Sequence, residues 1–65
     1  MTIAKNEQIR LAKLGFNYCK KQEARGEYLL HFVFGSERAH EYIKYVTLGK
    51  DTTELEVRLL NSIND

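Results

Sequence analysis

The spacing of apolar residues predicts an amphipathic helix over residues 2–14. Ala4, Leu11 and Leu14 fall near one side of such a helix, and basic residues occupy much of the remainder. Thr2 suits the N-cap, and Gly15 suits the position just past the last helical turn. The first element is therefore predicted as a helix that ends before Gly15.

The pattern changes after Gly15 to two runs rich in aromatic residues, 16–19 and 28–34, on either side of Ala24-Arg25-Gly26. A three-residue hairpin loop requires a left-handed residue at its last position, which Gly26 can supply. In the register that follows, Phe16 faces Phe34 across the two strands and Tyr18 faces Phe32. All four rings then share one face, because side chains alternate along a strand. The segment is predicted as an antiparallel β-hairpin.

Residues 37–48 fit two interpretations. Ala39, Tyr42, Ile43 and Val46 follow the spacing of one helix face, and Gly49 suits a helix end. The same segment is rich in residues that favour strands. We favour a helix that ends at Gly49, with a third antiparallel strand as the alternative.

The last segment has the clearest helical pattern. Thr53-x-x-Glu56 matches a capping box, and an apolar stripe follows at Leu55, Leu59, Leu60 and Ile63. The predicted fold class is α+β, in the order α-β-β-α-α, or α-β-β-β-α if the fourth element is a strand. Residues 1–65 are expected to form one domain.

Composition narrows the class of protein. The chain has 65 residues, of which 43% are hydrophobic and 29% charged, and a formal net charge of +1. These values are typical of a globular domain, and neither a membrane span nor a secretory leader is evident. The expected location is the cytoplasm. A domain this small with one cysteine has no internal disulfide, so self-association is a reasonable source of added stability.

Catalytic and metal chemistry are weakly indicated. The predicted hairpin sets Cys19 opposite His31, and an imidazole can activate a thiol. No orienting group, oxyanion hole or cleft accompanies the pair, so no enzyme activity is expected. The three soft ligands, Cys19, His31 and His40, are scattered rather than paired at short spacing. We therefore expect no metal site, cofactor or small-molecule substrate.

Charge is unevenly distributed along the chain. Residues 1–26 carry most of the basic side chains, and residues 27–65 carry most of the acidic ones. Lys20, Lys21 and Arg25 would crowd the hairpin tip, with Arg10 and Lys13 on the preceding helix. A basic ribbon of this kind can follow nucleic-acid phosphates or meet an acidic protein surface.

Two functions follow from these features. Tyr42 and Tyr45 exceed what one short helix can bury in so small a core, and exposed aromatic residues favour protein contacts. The favoured prediction is a small, non-enzymatic, inhibitor-like regulatory module. Its partner would be another protein or a second copy of the chain, bound through Tyr42, Tyr45, Lys20, Lys21 and Arg25. The alternative is nucleic-acid binding through Arg10, Lys13, Lys20, Lys21 and Arg25.

Overall fold

A computed structural model describes residues 3–64, and they form four α-helices. These are α1 (Lys5–Lys20), α2 (Ala24–Phe34), α3 (Ser36–Thr47) and α4 (Thr53–Asn64). No strand occurs within residues 3–64. The predicted α+β class is therefore wrong, and both proposed element orders with it.

The predicted β-hairpin is replaced by a helical hairpin. The chain does reverse close to the expected place, but at residues 21–23, and Ala24-Arg25-Gly26 forms the first turn of α2. Gly26 and Leu30 are buried one turn apart, and Phe34 packs against the core a turn later. This spacing is helical, so tertiary packing outweighs the strand preference of the aromatic and β-branched residues. Phe16 and Phe34 still stack at 6.0 Å between ring centroids, but across two helices.

Helix α1 also differs from its prediction, because it continues through Gly15 to Lys20. Its buried residues include Ala12, Phe16 and Cys19, which lie four and three positions apart and form one helix face. Gly15 lies inside this helix instead of ending it. The expected cap at Thr2 lies outside the described residues.

Gly15 and Gly26 allow α1 and α2 to approach closely. A Cβ atom at Gly26 would lie 2.6 Å from the backbone nitrogen of Cys19 and 2.8 Å from the carbonyl oxygen of Gly15. A Cβ atom at Gly15 would lie 2.9 Å from Cδ2 of Leu30. The two glycines therefore serve helix packing, whereas Gly15 was predicted to end a helix and Gly26 to form a hairpin loop.

The end of α1 is closed by Gln22 in the left-handed conformation, with φ of 61°. The amide of Gln22 donates to the carbonyl of Cys19, and the amide of Glu23 donates to that of Tyr18. This pair of bonds is the Schellman motif, which usually has glycine at the left-handed position. Without a glycine at this position, the true end of α1 has no clear signal in the sequence.

Helices α3 and α4 confirm the helical interpretations of their segments. Gly49, with φ of 73°, follows the end of α3 as predicted. Thr53 begins α4, but the expected capping box is wrong. The carboxylate of Asp51 accepts a hydrogen bond from the amide of Thr53, while the side chain of Glu56 turns toward α3.

A single residue, Gly35, connects α2 to α3. Its φ of 87° and ψ of 171° are essentially confined to glycine.

The core lies where the four helices meet. Tyr42 is fully buried at its centre, and its ring lies 4.7 Å from that of Phe16, centroid to centroid. The apolar stripe predicted for α4 packs here, with Leu55 and Leu59 buried. The full set of buried hydrophobic residues is Ala12, Phe16, Cys19, Leu30, Ala39, Tyr42, Leu55 and Leu59.

The first turn of α1 and the last residue of α4 lie side by side. The Lys5 ammonium group donates a hydrogen bond to the backbone carbonyl of Asn64 at 3.3 Å. None of the helices within residues 3–64 combines the length and the apolar character that crossing a membrane requires.

Candidate functional site

Tyr42, predicted as a contact residue, instead holds a polar network inside the protein. Its hydroxyl donates to Oε2 of Glu56 at 2.8 Å, and the hydroxyl of Thr52 donates to the same oxygen at 2.7 Å. The Lys20 ammonium lies 3.1 Å from that oxygen. Three donors, from α1, from α3 and from the residue that precedes α4, thus converge on one carboxylate. Tyr42 is not available to a partner in this fold.

Burial and hydrogen bonding set the pKa values in this network. Partial burial acts to raise the pKa of Glu56, but the hydrogen bonds from Thr52, Tyr42 and Lys20, together with the Lys20 charge, outweigh it. The pKa of Glu56 is therefore lowered from its ordinary value of 4.5. Burial raises the pKa of Tyr42 well above its ordinary value, so its hydroxyl stays a donor.

The lowered pKa of Glu56 predicts a specific loss of stability in acid. A carboxyl group whose pKa is lower in the folded than in the unfolded chain stabilises the fold above its unfolded pKa, and this contribution disappears as pH falls through the folded pKa. The free energy of unfolding should therefore decrease as the pH falls below about 5, and decrease less in Glu56→Gln. Urea denaturation at each pH measures the free energy of unfolding. Glu54→Gln, an exposed position on the same helix, should keep the wild-type profile, and equal profiles for all three proteins would contradict the prediction.

The other predicted contact residues lie on α3 and around the α1–α2 turn. Tyr45 is half-buried on α3, with the Lys50 ammonium 5.6 Å from its ring centroid. Lys21 is exposed at the end of α1. Arg25 stacks on the ring of Tyr18 at 4.1 Å and lies 2.7 Å from a carboxylate oxygen of Glu23. Lys20, Lys21 and Arg25 lie around the α1–α2 turn, which joins two helices instead of two strands, and Lys20 and Arg25 each have a carboxylate neighbour.

The cations proposed for nucleic acid are largely paired with acids. Arg10 pairs with Glu7 on the same helix. Lys20 and Arg25 have the carboxylate neighbours described above, while Lys13 is exposed on α1 and Lys21 is exposed directly after it. The neighbouring carboxylates reduce the positive potential that a phosphate backbone would meet.

The two most exposed large hydrophobic side chains among residues 3–64 lie on the outer face of α2. Tyr28 and Phe32 lie one helical turn apart, with 74% and 65% of their surface exposed. Arg25 precedes Tyr28 by three positions on the same side. We define the outer face of α2 as Arg25, Tyr28 and Phe32. The hairpin register assigned both rings to the core side, because a strand would have aligned them with Leu30 and Phe34.

An open groove of about 500 Å³ lies between the α1–α2 turn and the C-terminal half of α3. Cys19, Ile43 and Val46 contribute its apolar lining, and Glu23 and Glu27 its acidic lining. Burial, with a smaller contribution from the charge of Glu27, raises the pKa of the Cys19 thiol. A raised pKa disfavours the thiolate, which is the nucleophilic form. The predicted pairing of Cys19 with His31 across strands does not exist, and Gly26 lies against the Cys19 backbone instead.

The residues best suited to hold a metal are the two histidines together with Glu27. The imidazole rings of His31 on α2 and His40 on α3 meet edge to face, 5.0 Å between centroids. Glu27 precedes His31 by one turn on the same helix, with its carboxylate 4.0 Å from Nε2 of His31. These ligands are scattered in the sequence and brought together by the fold.

No family model, curated protein or solved structure matches this chain.

Proposed function

We propose that this chain is a non-enzymatic regulatory module that works through protein contacts, and that it binds a second copy of itself through the outer face of α2. The observation that supports this proposal is the exposure of Tyr28 and Phe32 one turn apart. Leaving two large rings in water is unfavourable, and burying them against a partner returns that free energy. Tyrosine, phenylalanine and arginine are also the residue types enriched at protein interfaces.

The choice of a second copy rests on charge and symmetry. A formal net charge of +1 gives little repulsion between copies and little steering toward a strongly charged partner. In a two-fold symmetric contact the same patch occurs on both sides. When two α2 helices cross in antiparallel directions, Tyr28 of each copy faces Phe32 of the other. Such a pairing buries all four rings in aromatic contacts.

The nucleic-acid alternative has weaker support. It relied on a cluster of free cations, and Arg10, Lys20 and Arg25 each have a carboxylate neighbour. These carboxylates compete with phosphate groups for the same cations. Nucleic-acid binding would therefore release fewer counterions and would be weaker. We therefore keep protein binding as the proposed function.

The test is the oligomeric state measured by sedimentation equilibrium at rising protein concentration. The wild type should dimerise, and Tyr28→Ser combined with Phe32→Ser should weaken the dimer about 100-fold, since a contact aromatic residue commonly contributes more than 1 kcal/mol. Both changes fall on exposed positions, so each should alter the free energy of unfolding by about 0.5 kcal/mol or less.

The matched control replaces two other exposed apolar residues, Leu48 and Val57, with serine. They are 58% and 52% exposed and lie outside α2. This variant should dimerise like the wild type. A wild type that stays monomeric at every concentration would refute self-association, and equal weakening by the control would refute the assignment to α2.

A further inference from the structure

The two histidines of this chain lie side by side although nine positions separate them in the sequence. His31 is half-buried in the last turn of α2, and His40 is exposed in the first half of α3. One nitrogen atom of each ring and one carboxylate oxygen of Glu27 all lie within 4.8 Å of one another. Three side chains from two helices thus present donor atoms to one small volume at the surface.

This juxtaposition depends on the break between α2 and α3. Gly35 alone connects the two helices, in a conformation essentially confined to glycine. A continuous helix through residue 35 would separate His31 and His40 by nine residues, which is about 13.5 Å along its axis. The break brings the first turns of α3 back beside the last turns of α2. It therefore creates the histidine pair.

The donor set has a defined preference among metals. Two imidazoles and one carboxylate are the protein ligands of many zinc sites, and imidazole also suits copper, nickel and cobalt. Ligand bonds of about 2.0–2.2 Å place the donors of a tetrahedral ion about 3.4 Å apart. The donor atoms of Glu27, His31 and His40 now lie up to 4.8 Å apart. Rotamer changes of these three partly exposed side chains can bring the donor atoms to the shorter distance.

We propose that Glu27, His31 and His40 bind one divalent ion of the zinc class. The ion would cross-link α2 to α3 and would leave at least one coordination position for water. Small domains often gain stability from a disulfide or a metal, and this chain has one cysteine, buried and without a disulfide. The ion therefore acts as a reinforcement of the α2–α3 junction.

The test titrates the purified full chain with zinc chloride by calorimetry, and with cobalt chloride by visible absorption. Zinc should bind with one ion per chain, a dissociation constant on the order of micromolar and a raised melting temperature. Cobalt should develop the intense visible bands of a four-coordinate ion. His31→Gln and His40→Gln should each weaken zinc binding about 100-fold or more.

Two control variants separate ligation from other effects. Glu41→Gln removes an exposed carboxylate next to His40 and should leave zinc affinity unchanged, as should Cys19→Ser, which removes the thiol. Circular dichroism checks that each variant keeps its helices. Should a histidine variant lose its fold, zinc-induced shifts of both imidazole resonances in the wild-type NMR spectrum provide the second readout.

Several results would overturn the proposal. These are binding only at millimolar zinc, affinity unchanged in both histidine variants, one ion shared between two chains, or imidazole resonances that zinc does not move. Self-association through α2 uses different side chains. The sedimentation experiment is run without metal, so its result on self-association does not depend on the result of the zinc titration.

Discussion

Replacing Tyr42 with alanine is expected to lower the free energy of unfolding by about 3–5 kcal/mol, the range for removing a large aromatic side chain from a core. A chain of this length has a total stability of roughly 3–10 kcal/mol, so the loss should lower the melting temperature sharply. Tyr42 is fully buried against Phe16 and joins three helices through Glu56. Chemical denaturation followed by circular dichroism measures the loss.

Tyr42→Phe separates packing from hydrogen bonding. This variant keeps the ring on Phe16 and removes the hydroxyl, while Thr52 and Lys20 still donate to Glu56. Its cost should be about 1 kcal/mol, the net value of a typical hydrogen bond. A phenylalanine variant as unstable as the alanine variant would show that the polar network, and not the packing of the ring, holds this part of the core.

Gly26→Ala is expected to destabilise the protein by about 2–3 kcal/mol, in the direction opposite to helix propensity. Alanine at an exposed helical position gains about 1 kcal/mol over glycine. At position 26, however, the new Cβ atom would meet backbone atoms of Cys19 and Gly15 at 2.6 and 2.8 Å. Backbone cannot rotate away as a side-chain end can, so α1 and α2 must separate and lose packing. Thermal and urea denaturation measure the change.

Gly15→Ala provides the matched control within the same helix pair. Its Cβ atom would meet mainly Leu30 and Leu29 side-chain atoms, the nearest being Cδ2 of Leu30 at 2.9 Å. A small rotation of Leu30 relieves that contact, and the gain in helix propensity offsets part of the cost. Gly15→Ala should therefore cost less than Gly26→Ala. The reverse order would contradict the conclusion that a Cβ atom at position 26 meets backbone that cannot give way.

The parts of the fold that were predicted correctly have a complete local signal. Helix α4 has its apolar stripe from Leu55 to Ile63 within one element, and α3 has a glycine at its end. Helix α2 lacks such a signal, because its aromatic and β-branched residues favour strands in isolation. What makes it helical is the packing of Gly26 and Leu30 on α1, which is a contact between distant positions.

The candidate sites depend on that same packing and were missed for the same reason. The direction of the Tyr28 and Phe32 side chains depends on whether residues 24–34 are helical or extended. In a strand both rings would face the core, whereas in the helix both face solvent. The approach of His31 to His40 depends on the conformation of Gly35. The distribution of charge along the sequence did not show that Arg10, Lys20 and Arg25 each have a carboxylate neighbour in the fold.

The hydrogen bond between Lys5 and Asn64 has a consequence for protein engineering. Residues 5 and 64 lie close enough for a short peptide to join them, and surface turns such as residues 21–23 can then be opened to give a circular permutant. For the same reason, the four helices can be inserted as a cassette into a loop of a host protein, with both junctions leaving from one place.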